Sequence, residues 1–154
     1  MRRISRLVVT GCVVASLLGA CSSSGSTGKT NSNKVLSKSE YIAQADAICR
    51  SYSGKIDSVV SGAGSGLTVE QQKQIFREKL IPLFKGQLIA LSDLHPPKAD
   101  QERIDEFRLN MSQAINTIIA GVNAAKSVAD LRDIKPSGLA RFKKQAEAYG
   151  MKYC

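Results

Sequence analysis

Few side chains in this 154-residue chain have the types and spacing that chemistry demands. It has one histidine, so any Ser-His-Asp or Cys-His centre must be built on His95. Pro96 and Pro97 follow it directly, which reads as a turn and not as the wall of a cleft. Glu102, Asp105 and Glu106 could supply a general acid/base pair. They crowd the start of a predicted helix, where its dipole favours solvated acids. Arg103 and Arg108 lie three residues from Glu106 and Asp105, a spacing that suits surface ion pairs. Gly28-Lys29-Thr30 mimics the end of a phosphate-binding loop, but Ser23 stands where the first glycine belongs and no strand precedes it. GxSxG, HExxH, EF-hand and dinucleotide fingerprints do not occur. Arg141, Lys143, Lys144 and Lys152, beside Leu139 and Phe142, are the one group suggestive of binding. They could meet anionic headgroups, or they could form a solvated face whose cations suit the C-terminal end of a helix. Four cysteines complete the inventory: Cys12, Cys21, Cys49 and Cys154.

The elements that carry these residues begin with an address. Arg2, Arg3 and Arg6 form a positive n-region, and Leu7 to Leu18 is an apolar run without a charge. As a helix that run would cover roughly 18 Å, against a hydrocarbon core of about 30 Å, which fits a signal h-region. Leu18-Gly19-Ala20-Cys21 resembles the lipobox of bacterial lipoproteins. The resemblance implies cleavage before Cys21, diacylation of its sulfur and often acylation of its new amino group. Two or more chains anchor stably where a single one is marginal. An ordinary secretory signal with a coincidental cysteine is the plainer alternative. The lipobox implies an exported protein tethered to the outer face of the cytoplasmic membrane.

Removing residues 1–20 changes the charge. Three of the 22 basic residues leave, so 19 remain against 13 acidic ones, and +9 becomes +6. That excess suits weak attraction to anionic headgroups or envelope polymers. Export makes nucleic acid a poor partner. The hydrophobic share of 43 % supports a folded domain, while 5 % aromatics and no Trp leave its core to Leu, Ile, Val and Ala. A multidomain enzyme is excluded by length.

Residues 21–36 read as the lipidated cysteine and a disordered linker, because Ser22 to Val35 is rich in Ser, Gly, Thr and Asn with no periodicity. Residues 37–154 then form four helix-like windows. Ser37 with Glu40, and Thr68 with Gln71, have capping-box spacing. Tyr41, Ala45, Ile48, Tyr52, Ile56 and Val59 mark the first buried stripe. The second is Phe76, Leu80, Leu83, Leu88 and Leu91, with Pro82 expected to kink or split it. Asp100 is the expected N-cap of the third helix, whose stripe is Ile104, Phe107, Met111, Ile115, Ile118 and Val122. After a loop containing Asp133 and Pro136, Ser137 caps a short fourth helix with Leu139, Phe142, Ala146 and Tyr149 inward and Gly150 at C′. No stretch alternates with period two. The expectation is an all-α antiparallel four-helix bundle, its second helix kinked at Pro82.

Cys12 leaves with the signal and Cys21 takes lipid, so Cys49 and Cys154 remain as an even pair in an exported domain. An antiparallel fourth helix returns its end toward Cys49, and a bond there would close a loop worth roughly 4–5 kcal/mol. A free or metal-binding pair is the alternative, although a metal would want further His or Cys ligands. Tyr41-Ile-Ala-Gln-Ala-Asp-Ala-Ile-Cys49, Leu94-His-Pro-Pro97 and Ala146-Glu-Ala-Tyr-Gly150-Met-Lys-Tyr-Cys154 resemble small exported actinobacterial lipoproteins of unknown function. Their pattern is an AdaiC segment in the first helix and a yGl-x-x-C ending. Met151 stands where Leu is usual, a mild change. The resemblance implies compartment, fold and disulfide, and no activity.

The sequence therefore points to a non-enzymatic, membrane-tethered binding or accessory protein without a cofactor or metal. Its partners would be the bilayer through Cys21, and an envelope protein or anionic envelope polymer. A carrier with an apolar ligand between its helices is the second expectation, requiring a cavity of several hundred Å³. An enzyme using His95 is the third, requiring that residue in a cleft beside a carboxylate.

Overall fold

A computed structural model describes residues 34–63 and 66–154. The expected signal peptide, Cys21 and the expected linker as far as residue 33 lie outside the described residues. Among the described residues the regular structure is helical, with no strand and a single isolated bridge between Val35 and His95.

Helix α1 (Lys38–Gly62) starts where the sequence requires it to. Glu40 N–H donates to Ser37 Oγ at 3.3 Å, and Ser37 N–H donates back to Glu40 Oε2 at 2.8 Å. Thr68 and Gln71 repeat this box at the start of α2 (Val69–Ile75). A π turn, Phe76–Leu80, joins α2 to α3 (Ile81–Ser92). The disruption expected of Pro82 takes this form. Proline has no N–H and its ring crowds the preceding turn, so a widened turn just before it relieves both problems. A 3₁₀ turn at Lys98–Asp100 leads into α4 (Gln101–Ala124), followed by α5 (Val128–Arg132) and α6 (Ser137–Tyr149).

The protein is an all-α helical bundle with four main arms: α1, the α2–α3 unit, α4 and α6. α1 packs on α3, α3 on α4, and α4 on α6. Contacts across each pair run in opposite numerical directions; between α1 and α3, Cys49 meets Gln87 while Tyr52 lies against Gly86. Arg77 meets Asn123 while Arg108 reaches Leu91 and Leu94; Arg141 meets Asn110 while Tyr149 meets Asp100. Neighbouring arms are antiparallel, as short connections dictate.

Two apolar clusters fill the bundle. One joins Tyr41, Ala45, Cys49, Leu91, Ile104, Phe107, Met111, Phe142, Ala146 and Tyr149; the other joins Ile81, Ile118, Val122, Ala125 and Leu131. All six residues of the α4 stripe are buried, and α4 runs through both clusters. Of the six residues of the α1 stripe only Tyr41 and Ala45 are buried, with Cys49 buried beside them, while Ile48, Tyr52, Ile56 and Val59 are half-buried. Length explains this: α6 has 13 residues and its end lies beside the start of α1, which has 25. The far half of α1 outruns the helix that would cover it.

Several local expectations are corrected. Leu36, assigned to the linker, is buried and donates its N–H to His95 O at 2.8 Å, so the fold begins before Ser37. Leu139 is exposed, because Gly138 instead points at α4. A Cβ on Gly138 would overlap Asn110 O and lie 2.9 Å from Ala114 N. Neither Asp100 nor Ser137 caps a helix with its side chain; Asp100 accepts from Tyr149 and Ser137 is already the first residue of α6. The stretch read as loop contains α5, opened by a Ser127–Asp130 capping box that five helical residues make hard to read from periodicity.

Candidate functional site

The two polar-apolar motifs at Cys49 and Cys154 form one closure. Gly150 has φ 112°, a left-handed conformation open to glycine without strain. There its N–H donates to Glu147 O at 3.0 Å, and Met151 N–H donates to Ala146 O at 2.9 Å, which is a Schellman ending. Met151 is then buried, and the tail turns back across α1. Asp46 receives it: Lys152 N–H and Tyr153 N–H donate to its carboxylate at 2.9 and 3.0 Å. Arg50 covers the Tyr153 ring at 3.9 Å. The Cys49–Cys154 disulfide completes the closure, with Gln87 Nε2 donating to the buried Cys49 sulfur at 3.3 Å. A free or metal-bound pair is thereby set aside.

Beside this closure Tyr149 meets Tyr41 and Phe107 edge to face, with ring centroids 6.1 and 5.8 Å apart. Its hydroxyl donates to Asp100 Oδ2 at 2.7 Å. Burial, then the Asp100 carboxylate, push its ionisation far above the usual 10. Burial also raises Tyr41, against the opposing charge of Arg108. Both phenols are structural, held neutral and packed. At the start of α1, hydrogen bonds from Lys34 and Ser37 pull Glu40 down to about 2.

The basic group separates into different roles. Arg141 turns toward α4, donating to Asn110 Oδ1 at 3.1 Å and Gln113 Oε1 at 3.3 Å. Lys143 lies 4.0 Å from Glu147, and Lys144 is exposed. Lys152 belongs to the tail and contributes its backbone N–H. His95 is exposed and acts through its carbonyl, which holds Leu36. Asp105 pairs with Arg108 at 3.0 Å. The expected Arg103–Glu106 pair is replaced: Glu106 accepts from Gln145 at 2.6 Å, and Arg103 lies over the Tyr149 ring at 6.0 Å.

Open space lies at the other pole, where sequence reading found no site. A cleft of about 450 Å³ is bounded by Val60 and Ala63 of α1's end, Gly66 and Leu67, then Ile75, Phe76 and Leu80 around the π turn. Gln72 and Arg132 supply its polar edge. Arg132 comes from α5, the element that periodicity did not reveal. A larger hollow of about 650 Å³ beside Gly121 is shallow and lined by alanines, with Asp130, Asp133 and Lys135 around it. We favour the smaller cleft because it combines apolar depth with one charge of a single sign. Comparison with protein-family models, curated proteins and solved structures returns no match.

Proposed function

We propose that the protein is an exported lipoprotein acting by binding and not by catalysis. Cys21 would carry the acyl chains, and twelve residues of Ser/Gly-rich linker, 22–33, would give a root-mean-square reach of roughly 20 Å. The bundle would then present its surface to a partner near the outer face of the membrane. The observation that carries this reading is the Cys49–Cys154 bridge behind a signal-like N-terminus. Such bonds persist in oxidising compartments. Partners of matching chemistry are an envelope protein or an anionic envelope polymer, since the mature chain would carry +6.

Intact-mass spectrometry of the protein from native membranes, with and without reduction and alkylation, tests this reading. The expected species starts at Cys21, carries added acyl mass and shows two thiols only after reduction. An unacylated species would remove the tether, and thiols free before reduction would remove the export argument.

A further inference from the structure

The α1–α2 cleft brings an open apolar wall, a π turn and a cation to one place. Its walls are apolar, yet they are not closed by the bundle: Val60 is 56 % exposed and Leu67, Ile75 and Phe76 are half-buried. Its volume of about 450 Å³ lies within the range of roughly 300–1,000 Å³ common to small-molecule sites. The π turn places Phe76 and Leu80 on the cleft, and such turns often mark functional positions inside helices. Arg132 stands at the rim without an ion pair among the described residues. A smaller hollow of about 210 Å³ shares Ala63 and Ile75 with it and is lined also by Lys79.

We infer that this cleft binds an amphipathic anion: an acyl chain against Leu67, Ile75, Phe76 and Leu80, with its acidic head at Arg132. Apolar burial supplies the affinity, and the guanidinium fixes orientation because it can hold a carboxylate or phosphate oxygen pair in one plane. Charge complementarity decides between occupants. A neutral or cationic amphipath would fill the same walls and leave Arg132 unanswered. The inference deepens the binding role proposed above but does not need the lipid anchor. A chain without acyl mass that still takes the ligand would keep the cleft and remove the tether.

The test uses the full chain in native membranes and dodecanoic acid bearing a photoactivatable diazirine on its chain, with a dodecylamine probe in parallel. Peptide mapping should place the acid's crosslinks within residues 60–80, and excess dodecanoate should compete them away. Arg132→Glu should lower acid labelling about fivefold and raise amine labelling, the size expected for one partly solvated ion pair. Leu67→Trp should fill the cleft and depress both, while circular dichroism of each variant verifies that the bundle is folded. Dodecyl phosphate competing as well as dodecanoate would assign the site to either acidic head. Crosslinks spread over other surfaces, equal labelling by acid and amine, or no effect of Arg132→Glu in a folded chain would overturn the inference.

Discussion

Reducing the Cys49–Cys154 bond should cost this domain a large part of its stability. The two cysteines are 105 residues apart. The chain-entropy relation for a loop of that length removes about 16 cal/mol/K from the unfolded ensemble, or about 4.8 kcal/mol near room temperature. A small domain has about 5–15 kcal/mol in total. The native contacts around the bond act separately, because Asp46 holds the Lys152 and Tyr153 amides through hydrogen bonds that reduction leaves in place. Urea unfolding of the oxidised and reduced protein, followed by circular dichroism, separates the two contributions. The midpoint should fall by an amount equivalent to about 4–5 kcal/mol, and the slope m should rise because the uncrosslinked chain exposes more surface. Hydrogen exchange at the Lys152 and Tyr153 amides should speed up with the global change and not before it. A loss under about 1 kcal/mol with unchanged m would refute the reasoning. It would mean that the unfolded chain keeps its ends together without the bond.

Gly138→Ala should destabilise the bundle by about 1–3 kcal/mol, because its Cβ would overlap Asn110 O and press on Ala114 N, both α4 backbone atoms that cannot yield alone; thermal unfolding of the variant checks this. Glu40 should titrate near 2 by carboxyl NMR. Its folded value is depressed from the usual 4.5, so the stabilisation it gives is present above 4.5 and is lost as pH falls through about 2. Lys34→Ala, which removes the first of its two donors, should raise the titration part of the way toward 4.5 while the Ser37 N–H still holds the other oxygen, and an unchanged midpoint would show that Lys34 is not the cause.

Much of the fold was legible because its signals are local. The α4 stripe repeats at helical spacing, so one face had to be buried, and all six positions are. Ser37–Glu40 and Thr68–Gln71 each place a hydroxyl three residues before a reciprocal partner, so two helix starts could be read directly. Gly150 announced the end of α6 because few other residues accept its φ. The same local logic failed where a distant partner decided the outcome. Asp100 looked like a cap, but Tyr149 arrives from 49 residues away to claim its carboxylate. Leu139 fitted the stripe of α6, but the close approach of Gly138 to α4 rotates that stripe by one position at its start. Arg103 had an acid at the right spacing, yet the Tyr149 ring and Gln145 took the two partners apart.

For the candidate site the division is sharper. The residues with the most chemical character in the sequence, His95 and the cations of the last helix, end at a turn, a helix interface and a solvated face. The cleft has no motif, because its walls are ordinary apolar residues from three separate elements and its charge sits on a five-residue helix. By itself the sequence determined the four main arms, their order and the pair of cysteines, since periodicity, caps and composition act over a few residues. Only the tertiary structure decided which face of α6 meets α4, how Asp46 receives the tail, and that α1 outruns its cover to leave a cleft open. Those outcomes depend on relative helix lengths and on contacts between residues tens of positions apart, which no local pattern encodes.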